Sequence, residues 1–249
     1  MIPFVIFLLG LCVGSFLNVA IFRIHEGGSV VRGRSKCQTC EEPISARDLV
    51  PVLSFLILKG RCRKCQSVLS WQYPIVELVT GGLFLLAFQR DGLSLTFVRD
   101  CVFLSYLIII FVYDLRHMLI IDRFTIPAMI FAIIVNLWLG IVPAWSILVG
   151  GLVLAAFFWI QFLVSRGTWV GGGDIRMGAL MGFMLGLEQG LVALFIAYLL
   201  GAIVGVGLLV SGKANRKTPI PFGTFLATAS VVVLFVGEPI VRWYLGLFV

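Results

Sequence analysis

Long runs of apolar residues dominate the pattern of this 249-residue chain. A helix that crosses the hydrocarbon core of a bilayer needs about 20 mostly apolar residues, and several runs reach or approach that length. The strands of a membrane β-barrel would alternate with a period of two, which these runs do not. The pattern predicts membrane-spanning helices at 2–22, 73–89, 98–113, 124–142, 146–164 and 222–241.

The apolar stretch 177–209 is too long to be a single span. At 1.5 Å per residue its helix would be about 50 Å long, against a hydrocarbon core of roughly 30 Å. Glu188-Gln189-Gly190 interrupts the stretch, which predicts two helices, at 175–187 and 191–210. The fold class is therefore predicted to be an all-α polytopic membrane protein with about eight transmembrane helices.

Composition excludes most other classes of protein. Apolar residues make up 60% of the chain, charged residues 12%, and the mean hydropathy is +1.09. Soluble domains carry about a quarter charged residues, so this chain lacks the polar surface of a soluble domain. The first span has no basic segment before it and no cleavage site before Arg23, so we expect an uncleaved anchor. No internal repeat of fixed period stands out.

The basic residues predict the orientation of the spans, because cytoplasmic loops carry an excess of lysine and arginine. If 23–72 is cytoplasmic, sixteen of the 19 basic residues fall on that side and three on the other. The sixteen are nine in 23–72, two in 115–123, and Arg166, Arg176, Lys213, Arg216 and Lys217; the three are Arg90, Arg99 and Arg242. The net charge of +7 thus reports topology, and no nucleic acid partner is implied.

Four of the six cysteines lie in the polar segment 23–72. They form two Cys-x2-Cys pairs, Cys37 with Cys40 and Cys62 with Cys65. Two such pairs can close a tetrahedron of thiolates around a structural zinc ion, and a reducing cytoplasm argues against disulfides. The alternative is a set of reduced thiols without a metal. Cys12 and Cys101 lie in apolar spans and are expected to be ordinary core-packing residues.

Two acidic residues lie at the ends of apolar spans, where an ionisable group is costly and is a functional candidate. Asp114 ends the third span and Asp174 begins the sixth, and the predicted topology puts both at the cytoplasmic end. Two carboxyl groups at the same depth in the membrane can act as base and acid, and these are the catalytic groups of an aspartyl hydrolase. The alternative is that Asp174 caps its helix while Asp114 pairs with Arg116 or Arg123.

A stripe of glycines follows Asp174 along the same predicted helical face. Such small residues at intervals of four let another backbone approach closely. The face would receive the helix that carries Asp114, or leave room for an extended substrate segment. The stripe consists of Gly178, Gly182 and Gly186.

Three further polar residues lie in the apolar spans. Glu77 is near the start of the second span, where the simplest interpretation is an acid stabilised by the helix N-terminus. Asn18 lies deeper in the first span and needs a hydrogen-bond partner there. Ser15 is expected to be a packing residue. The sequence lacks the motifs of zinc metalloproteases, of Gly-x-Ser-x-Gly hydrolases and of nucleotide-binding loops.

These motifs together resemble the type IV prepilin peptidases, also called type IV leader peptidases. The resemblance covers nearly the whole chain. Its motifs are Gly14-Ser15-Phe16-Leu17-Asn18-Val19 with Arg23, the two cysteine pairs, Tyr73-Pro74 with Glu77, Asp114 with Asp122, Gly171-Gly172-Gly173-Asp174, and Pro219-Ile220-Pro221-Phe222-Gly223. Ile121 stands where the family often has proline, and Arg176 where it commonly has lysine.

The resemblance implies a bacterial inner-membrane aspartyl protease whose active site faces the cytoplasm. Members remove the short basic leader from prepilins and pseudopilins, and many then methylate the new amino terminus with S-adenosylmethionine. Asp114 and Asp174 would be the catalytic pair. The zinc ligands would be Cys37, Cys40, Cys62 and Cys65.

The implied organisation has three parts: a first helix at 1–22, a cytoplasmic zinc-binding segment at 23–72 and a transmembrane peptidase domain at 73–249. A hypothesis from another class is also open. It is a non-enzymatic membrane scaffold or transporter whose zinc knuckle binds a cytoplasmic partner.

Overall fold

The computed structural model describes residues 1–30, 33–213, 215 and 218–246, so Arg32, Arg216 and Lys217 of the orientation count lie outside the described residues. Within these ranges the chain has eight α-helices, one 3-10 turn and no β-strand. The helices are α1 (Ile2–His25), α2 (Leu53–Ile57), α3 (Gln72–Asp91), α4 (Leu95–His117), α5 (Asp122–Leu139), α6 (Ala144–Ser165), α7 (Gly172–Val210) and α8 (Phe222–Leu245).

Six of the described helices are long and apolar enough to cross a membrane, namely α1, α4, α5, α6, α7 and α8. The prediction of an all-α, multi-pass membrane protein is therefore confirmed. The segment predicted as a span at 73–89 forms α3, which is not among the six. The chain folds into two compact units, Met1–Ile109 and Ile110–Val249.

Helix α7 is broken at Gly186, where φ is 78° and ψ is −178°. A Cβ built on Gly190 would lie 3.7 Å from the Cα of Gly182, whereas eight residues of unbroken helix span about 12 Å. The chain therefore folds back at Gly186 into two antiparallel segments, 172–185 and 187–210. This confirms that the apolar stretch is not one span. The predicted position of the break is wrong, because Glu188-Gln189-Gly190 is helical.

Two buried polar side chains form hydrogen bonds with backbone groups on either side of the break. Asn136 of α5 donates to the carbonyl oxygens of Phe183 (2.8 Å) and Met184 (3.0 Å), which end the first segment. Ser146 of α6 accepts the backbone N–H of Leu187 at 2.9 Å, which begins the second. Backbone groups released by a break must find partners in a bilayer, and these two side chains supply them.

The glycine stripe of α7 packs against α6. A Cβ on Gly182 would collide with the backbone of Gly150, and one on Gly178 would lie 2.8 Å from the Leu154 carbonyl oxygen. A Cβ on Gly186 would meet the Ser146 hydroxyl oxygen at 2.8 Å. The prediction that this face receives the Asp114 helix or a substrate is therefore wrong. The spacing indicates close helix packing but does not name the partner.

In the first unit, α1 and α3 also pack through small residues. A Cβ on Gly10 would lie 2.6 Å from the Cα of Gly81, and one on Gly14 would lie 2.7 Å from the Cα of Glu77. Asn18 donates to the Tyr73 carbonyl oxygen at 3.2 Å, which supplies the partner that the sequence demanded. Close helix contact therefore positions the polar groups of α1 beside α3.

The first unit also contains a buried ionic cluster on α4 that sequence reasoning missed. Asp100 is 0% exposed, and the Nε of Arg99 donates to its carboxylate at 2.7 Å. Arg90 forms ion pairs with both Asp100 and Asp91, and the Arg99 guanidinium lies 5.5 Å from the ring centroid of Phe103. The sequence signal that could have revealed this cluster is the pair Arg99-Asp100 inside an apolar run. Since each charge has a partner, the cluster is a structural feature.

Candidate active site

Asp114 lies in the last turns of α4 and is held by the first turn of α8. Its Oδ2 accepts the backbone N–H of Thr224 at 2.9 Å, and the Gly223 N–H is a further hydrogen-bonding partner. The side chain belongs to a residue that is only 4% exposed. Because the first N–H groups of a helix have no partner within it, they form a natural site for a carboxylate.

Asp174 is also held by backbone at a helix N-terminus, which in this case is that of its own helix, α7. It is the third residue of α7, is 8% exposed, and its Oδ2 accepts the Gly171 backbone N–H at 2.9 Å. The capping contact expected as the alternative therefore exists. It does not exclude chemistry, because a carboxylate oxygen can accept a second hydrogen bond.

The two carboxylates are close enough to interact electrostatically. Ile120, in the loop between α4 and α5, lies beside both helix ends. A Cβ on Gly173 would lie 2.9 Å from the Ile120 Cβ, and one on Gly223 would lie 2.8 Å from its Cδ1. The glycines thus let this loop, the start of α7 and the start of α8 meet around the pair.

Among the described ion pairs, Asp114 has no arginine partner, so the alternative of a salt bridge to Arg116 or Arg123 finds no support. Asp122 does form an ion pair, and its partner is Arg176 of α7. The Asp122 side chain is 51% exposed, unlike the two buried aspartates. Its partner is distant in sequence, which local reasoning could not detect.

The two cysteine pairs form knuckles of the same construction, 25 residues apart. In each knuckle the N–H of the first cysteine donates five residues ahead, Cys37 to Glu42 (3.0 Å) and Cys62 to Ser67 (2.9 Å). The residue after the second cysteine has positive φ in both cases: 56° at Glu41 and 60° at Gln66. The segment thus contains a short internal repeat that sequence inspection did not identify.

The four thiols converge on one point. Their sulfur atoms all lie within 4.8 Å of one another, and the Sγ atoms of Cys37 and Cys65 are 3.8 Å apart. Burial raises the pKa of the Cys37 thiol, but hydrogen bonds from the Cys40 and Thr39 backbones outweigh it and bring the pKa to about 6. Four thiols that converge in this way can hold a metal ion.

An ion pair fastens the second knuckle to the 3-10 turn at Ala46–Leu49. Arg63 makes a bidentate contact with Asp48, with hydrogen bonds of 2.6 and 2.9 Å. This contact, together with the Ser45 hydroxyl, lowers the pKa of Asp48 to about 2. The carboxylate therefore stays ionised, and keeps its arginine, over the whole physiological range.

Two family models match the chain and together cover most of it. The model of the bacterial peptidase A24 N-terminal domain matches residues 8–90, and that of the type IV leader peptidase family matches residues 101–206. A Bacillus subtilis relative is 36% identical over 241 residues, with 97% of each chain covered. The chain belongs to the type IV leader peptidase family.

Other members of the family support the assignment. An Aeromonas salmonicida relative is 33% identical over 270 residues, covering 97% of this chain and 93% of its own. A Myxococcus xanthus relative is 36% identical over 218 residues, covering 86% and 65%. All three carry the name prepilin leader peptidase/N-methyltransferase. No solved structure matches the chain.

The two family models divide the candidate residues between them. The N-terminal model contains the cysteine cluster and Glu77, and the leader peptidase model contains both Asp114 and Asp174. The backbone donors of α8 that hold Asp114 lie beyond the second model's last matched residue, 206. The aspartate pair and the cysteine cluster thus belong to different matched domains of one chain.

Proposed function

We propose that this protein is a prepilin leader peptidase with a second, N-methyltransferase activity. The names of its relatives support both activities. The observation that carries the peptidase assignment is the pair of buried aspartates, Asp114 and Asp174, each held at a helix N-terminus and close enough to interact.

In the proposed mechanism one aspartate acts as base and the other as acid. The ionised carboxylate takes a proton from water, whose oxygen attacks the carbonyl carbon of the scissile peptide bond. The protonated carboxyl group gives its proton to the leaving amine, and the bond between carbon and nitrogen breaks. Fixed backbone donors suit this exchange, because they hold each carboxyl group in place while its charge changes.

The proposed substrates are prepilins and pseudopilins, whose basic leader would lie outside the membrane while the following apolar segment lies within it. The sixteen-to-three distribution of basic residues supports a bacterial cytoplasmic membrane location with 23–72 inside. Under that topology the ends of α4 and α7 that bear the aspartates face the cytoplasm.

We propose that the metal held by the cysteine cluster is zinc. Bonds of about 2.3 Å in a tetrahedron separate the sulfur atoms by about 3.8 Å. The distance from the Cys37 Sγ to the Cys65 Sγ is 3.8 Å, which fits this arrangement. Four thiolates leave no open coordination position, so the role of the ion would be to fold the segment.

The methyl donor of the second activity would be S-adenosylmethionine, which supplies a methyl group bonded to a positively charged sulfur. When bound, it would supply this methyl group to the unprotonated new amino terminus of the cleaved pilin. The chain's contribution is to bind and orient the two reactants.

Incubation of the purified protein with a prepilin tests the function directly. With isotopically labelled S-adenosylmethionine present, mass spectrometry should find the shortened pilin and a labelled methyl group on its new amino terminus. Without the donor, only cleavage is expected. A protein that releases no leader from correctly presented prepilin would contradict the proposal and favour the scaffold or transporter hypothesis.

A further inference from the structure

A cavity of about 200 Å³ lies in the first unit, bounded by α1, α3 and the segment that carries the cysteine cluster. All of its lining residues belong to 15–77, so the cavity does not use either candidate catalytic aspartate. A cavity that holds a single water molecule needs a volume of about 10–15 Å³, measured in the same way. The cavity is therefore large enough for a ligand of many atoms.

Glu77 of α3 presents a buried carboxylate to this cavity. The residue is 7% exposed, and its Oε2 accepts the backbone N–H of Val52 at 2.7 Å. The Ser15 hydroxyl is a second hydrogen-bond donor to the carboxylate. None of the ion pairs described for the chain includes Glu77. The acid is thus stabilised by neutral donors from outside its own helix.

The contact with Val52 fixes a strained piece of backbone. Val52 has φ 60° and ψ −50°, and the Leu53 N–H approaches the Pro51 carbonyl oxygen at 2.5 Å. These values describe a γ-turn with positive φ, a rare conformation that a β-branched residue avoids. Such a turn persists only where its surroundings hold it, so the chain fixes the Glu77 carboxylate firmly at the cavity wall.

The remaining walls of the cavity contain both aromatic and charged side chains. Phe22, Phe55 and Tyr73 supply aromatic surface, and the exposed Arg34 and Lys36 supply cations. Glu26 and Asp48 are two further acids of the lining, and Asp48 is paired with Arg63. A cavity with an unpaired buried carboxylate favours a cation, aromatic faces favour a cation or a flat ring, and basic side chains favour a carboxylate. S-Adenosylmethionine combines a sulfonium cation, a purine ring and a carboxylate.

We propose that this cavity binds the methyl donor, with the Glu77 carboxylate facing the donor's sulfonium. This inference rests on the proposed N-methyltransferase activity. It has a specific consequence, because the donor carries a positive charge on sulfur and the spent product, S-adenosylhomocysteine, does not. The carboxylate therefore favours binding of the donor over its product.

Calorimetric titration of the detergent-solubilised, zinc-loaded full chain tests this inference without relying on turnover. The wild-type protein should bind S-adenosylmethionine about tenfold more tightly than S-adenosylhomocysteine, since one charge-assisted contact is lost in the product. Glu77→Gln keeps an acceptor for the Val52 N–H but removes the charge, so the ratio should fall to about one. Glu42→Gln, outside the cavity lining, should keep the wild-type ratio.

An unchanged ratio in Glu77→Gln would overturn the assignment. If that variant does not fold, Glu77→Asp retains the charge but withdraws it by one methylene, and an unchanged ratio there would be equally contradictory. A second assay distinguishes failure of the cavity assignment from failure of the proposed N-methyltransferase activity. In it, cleaved pilin and S-adenosylmethionine are supplied to the wild-type protein. Methylation by the wild type with no effect of Glu77 on the ratio refutes the cavity alone, whereas no methylation and no donor binding refute the N-methyltransferase activity.

Discussion

The Asp114 carboxylate accepts a hydrogen bond from the backbone N–H of Thr224 at 2.9 Å, so two residues 110 positions apart share the start of α8. Asp174 stands in the same relation to the start of α7 through the Gly171 N–H. Helix N-termini stabilise negative charge. The candidate acid–base pair is thus positioned by main-chain groups, which no side-chain substitution removes.

Gly223→Ala is expected to abolish or severely reduce leader cleavage. The added Cβ would lie 2.8 Å from the Asp114 Oδ2 and from the Ile120 Cδ1, so the carboxylate must move. A displacement of about 1 Å at a reacting group can cost on the order of 100-fold in rate. The rate of leader release from a purified prepilin, followed by mass spectrometry, measures the effect.

Gly207→Ala is the matched control, because a Cβ there meets no atom within 4 Å. Replacing glycine by alanine in an open helical position stabilises a protein by about 0.4–1 kcal/mol. The control should therefore cleave normally and unfold no more easily than wild type. Normal cleavage by Gly223→Ala would show that the position of the Asp114 carboxylate is not critical.

The break in α7 makes a second prediction. Ser146→Ala would leave the partly buried Leu187 N–H without its acceptor, which costs about 1–3 kcal/mol of unfolding free energy. Thr228→Val is the control, because the Thr228 hydroxyl donates to the carbonyl oxygen of Thr224 in its own helix. Unfolding in mixed detergent micelles measures both. Equal stability of the two variants would contradict the role given to Ser146.

Local patterns were sufficient for the features that depend on local sequence. Apolar runs located the helices, and excess length alone indicated that 177–209 turns back. The residue at which it turns depends on contacts from other helices, because Gly186 is one of several glycines and only Asn136 and Ser146 make it the break. The polar triplet Glu188-Gln189-Gly190 was therefore a misleading signal.

The partners of the candidate residues could not be predicted in the same way. The sequence identified Asp114 and Asp174 by their position at span ends, but nothing in it connects Asp114 to Thr224 or Asp122 to Arg176. Glu77 illustrates the same limit, because one of its two donors is the backbone N–H of Val52, 25 residues earlier. Backbone donors leave no trace in residue type, and so only the folded chain reveals them.

The cysteine cluster predicts about one metal ion per chain. Replacing both Cys37 and Cys40 by serine should remove the ion and make residues 36–66 susceptible to protease, because the metal supplies folding energy to such a segment. Elemental analysis and limited proteolysis measure the two effects. Cys12→Ser is the control and should keep the metal, since Cys12 is outside the cluster and, contrary to the expectation of core packing, is exposed. Undiminished metal in the double variant would refute the assignment.

Methyl transfer should survive the loss of either aspartate. The cavity that contains Glu77 uses neither Asp114 nor Asp174, and methylation of an amine does not require an acid–base carboxylate pair. An Asp174→Asn variant supplied with pilin that is already cleaved should therefore methylate it at near the wild-type rate. Failure to do so, in a folded variant, would indicate that the two reactions share one site.

Asp122→Asn is the control for the aspartate pair. The Asp122 side chain is 51% exposed, and its ion pair with Arg176 is of a kind that contributes about 0–1 kcal/mol. The variant should retain substantial leader cleavage with little change in stability. It differs from the buried aspartates in exposure but involves the same chemical change, which makes it a matched comparison.

The rate of leader cleavage by Asp114→Asn and Asp174→Asn tests the central claim most directly. Asparagine keeps the shape of the side chain but cannot take up and release the proton, so each variant should lose a factor of at least about 10² to 10⁴. The double variant should be little worse than either single one, because groups that act as one unit are not additive. Cleavage at the normal rate by a correctly inserted, abundant Asp114→Asn protein would contradict the account.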